Sequence, residues 1–184
     1  MKKKIIITGG LGYIGTELCK LYSGVSWNHE IVVIDNRFIS ERVNQLRNWN
    51  IEFVQGDILD RELVTKYFKD ADTVHHLAGI TDVPRVQSES SKIQDEKIKE
   101  VAEKGTQNIL DIISDKCKII FPSTHVVYEG INQVKTDIKE EEKTNPILSY
   151  STSKDINEKQ LKRSGKNFVI LRLGSVYGYS TDTM

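Results

Sequence analysis

The stretch Thr8-Gly9-Gly10-Leu11-Gly12-Tyr13-Ile14-Gly15 constrains the fold of this chain more than any other. It follows the apolar run Ile5-Ile6-Ile7, which reads as a short buried strand, and leads into Thr16-Glu17-Leu18-Cys19-Lys20-Leu21-Tyr22, which reads as a helix. Strand, glycine turn and helix in that order bring backbone N–H groups and a helix N-terminus against a pyrophosphate. A side chain at Gly9, Gly10 or Gly12 would hinder the tight turn or the approach of a phosphate, and one at Gly15 would push the helix off the sheet. A glycine-rich octet alone is also met as a plain turn, so the rest of the chain has to decide.

The second strand supplies that context. Glu30-Ile31-Val32-Val33-Ile34 is apolar and β-branched and ends on Asp35-Asn36. An acidic residue about 20 or more positions beyond the glycines is where a dinucleotide fold grips the adenosine ribose through its 2′-hydroxyl. A carboxylate there repels a 2′-phosphate, so the expected cofactor is NAD(H) rather than NADP(H). Arg37 works against this preference, because a guanidinium beside the strand end pairs readily with such a phosphate. A turn-forming acid after a strand is the plain alternative for Asp35.

Apolar strand-like runs at 4–8, 31–35, 51–55, 73–77, 118–122 and 168–173 alternate with helical segments at 13–22, 40–47, 60–68, 92–114 and 149–163. That alternation predicts an α/β fold: a Rossmann-type, doubly wound parallel sheet of about six strands with helices on both faces. Its crossovers are expected to be right-handed. The mixed acids and lysines of 89–104, from Glu89 to Lys104, read as the exposed face of a long helix. Segment 129–148 reads as a long surface loop, a feature that is usually functional in a compact domain.

With 184 residues the chain suits one well-buried domain. Its 26 basic and 26 acidic residues leave no net charge to recommend a nucleic acid or an anionic membrane surface as partner. Lys2-Lys3-Lys4 precedes only three apolar residues, too few for a signal peptide or a membrane span. Cys19 and Cys117 are scattered and read as reduced core residues, which places the expected compartment in the cytoplasm. His29, His75, His76 and His125 follow no ligand spacing, so no metal is expected.

These residues together resemble the extended short-chain dehydrogenase/reductase superfamily, in its NAD-dependent nucleotide-sugar epimerase/dehydratase branch typified by UDP-glucose 4-epimerase. The octet from Thr8 to Gly15 is similar to the family's cofactor loop almost letter for letter, which implies cofactor contacts at Gly9, Gly12, Tyr13, Ile14 and Gly15. Val33-Ile34-Asp35-Asn36 resembles its ribose-binding strand end, giving Asp35 and Asn36. Gly56-Asp57-Ile58 resembles the pair that contacts adenine, Asp57 by a hydrogen bond and Ile58 by backbone and packing. In His76-Leu77-Ala78-Gly79 the last three residues match the segment that passes under the cofactor. The stretch from Phe121 to Tyr128 resembles the strand that carries the catalytic Ser/Thr, here Thr124. Tyr150-Ser151-Thr152-Ser153-Lys154 is the Tyr-x-x-x-Lys pair, and Leu171 to Gly178 resembles the segment after the sixth strand. The motifs stand in the family's order along nearly the whole chain.

Tyr150 and Lys154 are four apart on a predicted helix, hence on one face and one turn from each other. A free tyrosine, with a pKa of about 10, is a poor base at neutral pH. A nearby ammonium, together with the positive nicotinamide ring of NAD⁺, is expected to favour the phenolate and lower that pKa. The resemblance implies that Tyr150 takes a proton from a sugar hydroxyl, that Thr124 bonds the same hydroxyl, and that Lys154 also holds the nicotinamide ribose. The resemblance further implies that hydride passes to tightly bound NAD and returns to the other face of the keto-sugar, and that the substrate is a nucleotide-diphosphate sugar carrying UDP or dTDP.

The related 4,6-dehydratases carry an Asp-Glu pair after the Ser/Thr. Here His125 and Val126 stand there, which favours epimerisation over dehydration. The family expects an Asn three residues before a Gly-Thr pair, but Gly105-Thr106 is preceded by Ala102; Ser175 and Tyr179 also depart from the pattern. Relative to the family, 1–184 reads as the NAD-binding Rossmann domain with the C-terminal substrate-binding domain largely absent, so the edge at 168–173 is expected to be exposed. Two other functions remain open: a non-catalytic NAD(H)-binding module, and an NAD-dependent reductase or dehydratase of a nucleotide sugar. In the family, helices such as 92–114 and 149–163 pair two copies as a homodimer; their charged outward faces here weigh against it.

Overall fold

The computed structural model describes residues 2–81, 92–131 and 135–178. The strands are β1 (Lys3–Thr8), β2 (His29–Asp35), β3 (Glu52–Gln55), β4 (Thr73–His76), β5 (Lys118–Thr124) and β6 (Asn167–Leu173). The helices are α1 (Tyr13–Ser23), α2 (Ser40–Asn48), α3 (Arg61–Phe68), α4 (Lys92–Glu100), α5 (Thr106–Ile112) and α6 (Ser149–Arg163). All six strands pair in parallel in the order β3-β2-β1-β4-β5-β6. This is the strand order of a dinucleotide-binding sheet, with its reversal of direction between β1 and β4.

Alternation along the strands divides the core into two layers. Ile6, Val32, Ile34 and Val74 face one side, where Val64 and Phe68 of α3, Ile109 and Leu110 of α5 and Leu161 of α6 cover them. Ile5, Ile7, Ile31 and Val33 face the other, beneath Cys19 of α1 and Val43 and Leu46 of α2. Because both faces of the central strands are buried, β1 and β2 read as unbroken apolar runs. β6 is an edge strand, with Leu171 43% exposed, as its place at the end of the sheet dictates.

The segment expected as one helix over 92–114 is broken. A π-helical turn, Val101–Gly105, separates α4 from α5, and α5 ends at Ile112. Side chains of α6 enter the widened turn: Asn157 Nδ2 donates to the Ala102 carbonyl at 2.8 Å and Gln160 Nε2 to the Glu103 carbonyl at 2.8 Å. Such outside partners let a helix leave its regular ladder. Between Glu129 and Leu148 the described residues form neither helix nor strand. Glu129 closes that loop onto α6, accepting from the Ile147 and Leu148 N–H groups at 2.6 and 2.7 Å and from the Ser151 hydroxyl. Glu89 and Tyr179, singled out in the sequence, lie outside the described residues. Among the described residues, no helix is long and apolar enough to cross a membrane.

Candidate active site

Parallel strands deliver all their carboxyl ends to one edge of the sheet, and the loops there enclose a cleft of about 840 Å³. At its floor the turn after β1 meets the turn after β4. Gly9 adopts φ +66°, and a Cβ built on it would lie 2.8 Å from the Ala78 nitrogen, so the two turns pass at a distance only glycine allows. Gly15 is tight for a different reason from the one expected. Its Cβ would meet Gly10 Cα and the Gly9 carbonyl oxygen at 2.6 Å, so it seats α1 on the glycine turn itself rather than on the sheet. α1 begins at Gly12 without a side-chain cap and with no acid in its first turn, an N-terminus electrostatically suited to an anion.

Asp35 is buried at the end of β2, and its carboxylate spans two loops. Oδ2 accepts from the Leu11 N–H at 3.0 Å; Oδ1 accepts from the Arg37 N–H at 3.0 Å and from Arg37 Nε at 3.3 Å. Arg42 of α2 donates to the Leu11 carbonyl from below, so the glycine loop is held from both sides. Asn36 Nδ2 donates to Asp57 Oδ2 at 3.2 Å, tying together two residues selected from the sequence for separate contacts. Ile58 is fixed by Asn108 of α5, whose Nδ2 donates to the Ile58 carbonyl at 3.1 Å.

Tyr150, Lys154 and Thr124 stand at the opposite end of the same cleft. Lys154 is buried, donates to the Pro122 carbonyl at 3.0 Å, and has its ammonium 4.7 Å from the Phe121 ring centre. Burial lowers its pKa to about 8. The expectation that this ammonium lowers the Tyr150 pKa is not met. Burial raises the phenol's pKa above its ordinary value, and the opposing influence is the Thr124 hydroxyl. The ammonium is directed instead at Pro122, 5.9 Å from the Tyr150 ring centre. Thr124 also accepts from the Val126 N–H at 3.2 Å, opening a 3₁₀ turn, His125–Tyr128, that turns His125 outward to the Leu173 carbonyl.

Every residue assigned a catalytic or cofactor contact from the sequence lines this one cleft, with Leu77, Ala78 and Gly79 between its two ends; Gly10 does not, and a Cβ there would meet the Val33 side chain. Arg37, weighed from the sequence as a partner for a 2′-phosphate, also lines the cleft; sequence reasoning missed Lys97 and Val101, and the buried polar side chains beneath it. Glu158, 1% exposed, accepts from Ser123 at 2.6 Å and from Arg172 Nε and Nη2 at 2.9 and 2.6 Å. His76 lies 2% exposed between two threonines. His76 in β4, and Ser123 and Arg172 in β5 and β6, are polar residues within strands and were the available signal; Glu158 itself stands among the many polar residues of α6, where nothing local marks it. Among the described residues, no group of His, Cys, Asp and Glu is arranged to hold a metal ion, and Cys19 and Cys117 are free and buried.

Known proteins share this chain's sequence pattern and fold. UDP-glucose 4-epimerase of Neisseria meningitidis serogroup C is 32% identical over 177 residues, covering 86% of this chain and 47% of that protein. dTDP-D-glucose 4,6-dehydratase of Dictyostelium discoideum is 30% identical over 197 residues, covering 96% and 44%. The chain thus spans about half the length of these curated relatives. Among solved structures, the Thermotoga maritima UDP-glucose 4-epimerase with UDP-glucose superposes with a TM-score of 0.80 at 26% identity, covering 97% of this chain and 58% of that one. The Brucella ovis UDP-glucose 4-epimerase in complex with NAD gives 0.72 at 29%, covering 92% and 51%. The model of the NAD dependent epimerase/dehydratase family matches residues 5–184, and the chain belongs to that family.

Proposed function

We propose that this chain is the cofactor-binding portion of an NAD-dependent nucleotide-sugar epimerase, with Thr124, Tyr150 and Lys154 as its catalytic residues. One observation carries the reading: these three groups occupy one end of a cleft whose other end is the glycine turn and Asp35. The residues fit a dinucleotide. The Gly9 and Gly15 cradle leaves backbone and the uncapped start of α1 for a pyrophosphate, and Asp35 stands where an adenosine ribose presents its hydroxyls.

NAD, when bound, supplies the hydride acceptor and donor. The protein's part is proton handling and orientation. Tyr150 Oη accepts the proton of a sugar hydroxyl and later returns it, Thr124 bonds Tyr150 and aligns that hydroxyl, and Lys154 holds ribose oxygens. The sugar is that of a UDP- or dTDP-linked substrate, the class carried by the relatives' names. Epimerisation is favoured over dehydration because His125, the first residue after Thr124, is exposed and bonded to the Leu173 carbonyl, and Val126 offers no proton-transferring group. A cytoplasmic location and pairing of two copies through α4, α5 and α6 belong to the same reading.

Calorimetric titration of the chain with NAD⁺ and NADP⁺ tests it, with Tyr150→Phe as the companion variant. NAD⁺ binding that exceeds NADP⁺ binding and survives Tyr150→Phe, with loss of turnover on a nucleotide sugar in the protein that carries this chain, is the expected result. Loss of NAD⁺ binding in Tyr150→Phe would remove Tyr150 from the role given to it.

A further inference from the structure

Four buried side chains form one continuous hydrogen-bonded chain beneath the cleft. Asn157 Nδ2, on α6 one turn beyond Lys154, donates to the Ala102 carbonyl in the π-helical turn and to Thr106 Oγ1, each at 2.8 Å. Thr106 Oγ1 lies 2.9 Å from His76 Nε2, and His76 Nδ1 lies 3.0 Å from Thr8 Oγ1. Thr8 Oγ1 in turn accepts the Ala78 N–H at 3.0 Å. Thr8, His76, Thr106 and Asn157 are between 0 and 5% exposed.

One end of this chain lies on the catalytic helix, and the other lies at the floor of the cleft, where the Ala78 turn meets the glycine loop. Asn157 shares α6 with Tyr150 and Lys154, whereas Ala78 is the residue against which Gly9 is packed. His76 bridges β1, β4 and α5, and its ring is packed against Phe121 at 5.7 Å between centres, on the strand that leads to Thr124. Position 102 is a buried alanine, so the amide that reaches the π-helical turn comes from α6. In a low-dielectric interior each of these bonds is strong and its loss strands a polar atom, so the chain favours one separation between helix and turn over all others.

We infer that Asn157, Thr106 and His76 are positioning residues, a polar brace that sets the catalytic helix at a fixed distance from the Ala78 turn and the glycine loop. This rests on the cleft holding a dinucleotide that must reach both ends at once. A 1 Å misplacement of one end would then reduce both cofactor affinity and turnover.

The test reads the far end of the brace. Amide hydrogen exchange at Ala78 is followed by NMR in the parent chain, in Thr106→Val, which removes the middle hydroxyl at nearly constant volume, and in Thr106→Ser, which keeps it. The brace predicts roughly tenfold or greater acceleration at Ala78 relative to Val33 of β2 in Thr106→Val, parent-like exchange in Thr106→Ser, and a matching loss of roughly tenfold in NAD⁺ affinity for Thr106→Val alone. Should Thr106→Val fail to fold, Asn157→Ala breaks the chain at its other end with the same expected readout. Ala78 and Val33 changing in step would reduce these residues to ordinary core bonds and overturn the brace. A parent chain that binds no NAD⁺ would overturn the reading of the cleft, while the exchange comparison would still decide the brace.

Discussion

The Lys154 ammonium stands 5.9 Å from the centre of the Tyr150 ring, one turn along the same helix, yet its hydrogen bond goes to the Pro122 carbonyl. The lysine is thus fastened to β5, the strand that carries Thr124, and α6 is registered on that strand through a charged group with almost no access to water.

Burial of that charge has a pH signature. The folded pKa of Lys154, about 8, lies below its ordinary 10.5. Its contribution to stability is therefore complete above pH 10.5 and is lost as the pH falls to 8, because the unfolded chain binds the extra proton in that window. Lys154→Met should remove up to about 1.4 kcal/mol per pH unit from the slope of unfolding free energy between pH 8 and 10.5. Denaturant unfolding at pH 8, 9 and 10 checks this, and identical slopes in parent and variant would contradict it.

His76 carries the same sign at acid pH. Burial first, and the Lys154 charge second, lower its pKa from 6.5 to about 3. The imidazole should give no titration by NMR between pH 7 and 5 in the folded chain. Its share of the stability is complete above pH 6.5 and falls away as the pH drops toward 3.

Asp35 holds the glycine loop as well as facing the expected ribose. Asp35→Ala removes the acceptor of the Leu11 N–H and releases the Arg37 guanidinium. NAD⁺ affinity should fall by roughly tenfold or more while the preference moves toward NADP⁺, as a freed arginine pairs with a 2′-phosphate. Parallel titrations with the two cofactors measure the ratio, and an unchanged ratio would mean that Asp35 does not set the preference.

Gly15→Ala should destabilise the chain by about 1–3 kcal/mol, since the added methyl meets backbone atoms that cannot step aside. Urea unfolding gives the value, and an effect within about 0.5 kcal/mol, usual for a tolerated surface change, would show that the loop can yield.

Glu158 and Arg172 form a bidentate pair with side chains 1% and 11% exposed. Glu158→Ala leaves that guanidinium without its carboxylate inside the protein and should cost about 3–5 kcal/mol. A double-mutant cycle with Arg172→Met separates the pair's coupling from the packing loss.

The sequence by itself determined the order of strands and helices, the glycine turn, the acid at the end of β2 and the one-turn spacing of Tyr150 and Lys154. These follow from local rules: apolar runs, backbone freedom at glycine and helical period. The tertiary structure decided the rest. Thr8 and His76 are 68 residues apart and bond only because β1 lies beside β4. Asn157 reaches the Ala102 carbonyl across 55 residues, and there the expected long helix takes a π-helical turn. The high pKa of Tyr150 and the low one of Lys154 depend on how much water each keeps. Solvent exclusion and hydrogen-bond partners are set by which elements become neighbours, and residue spacing along the chain does not specify them.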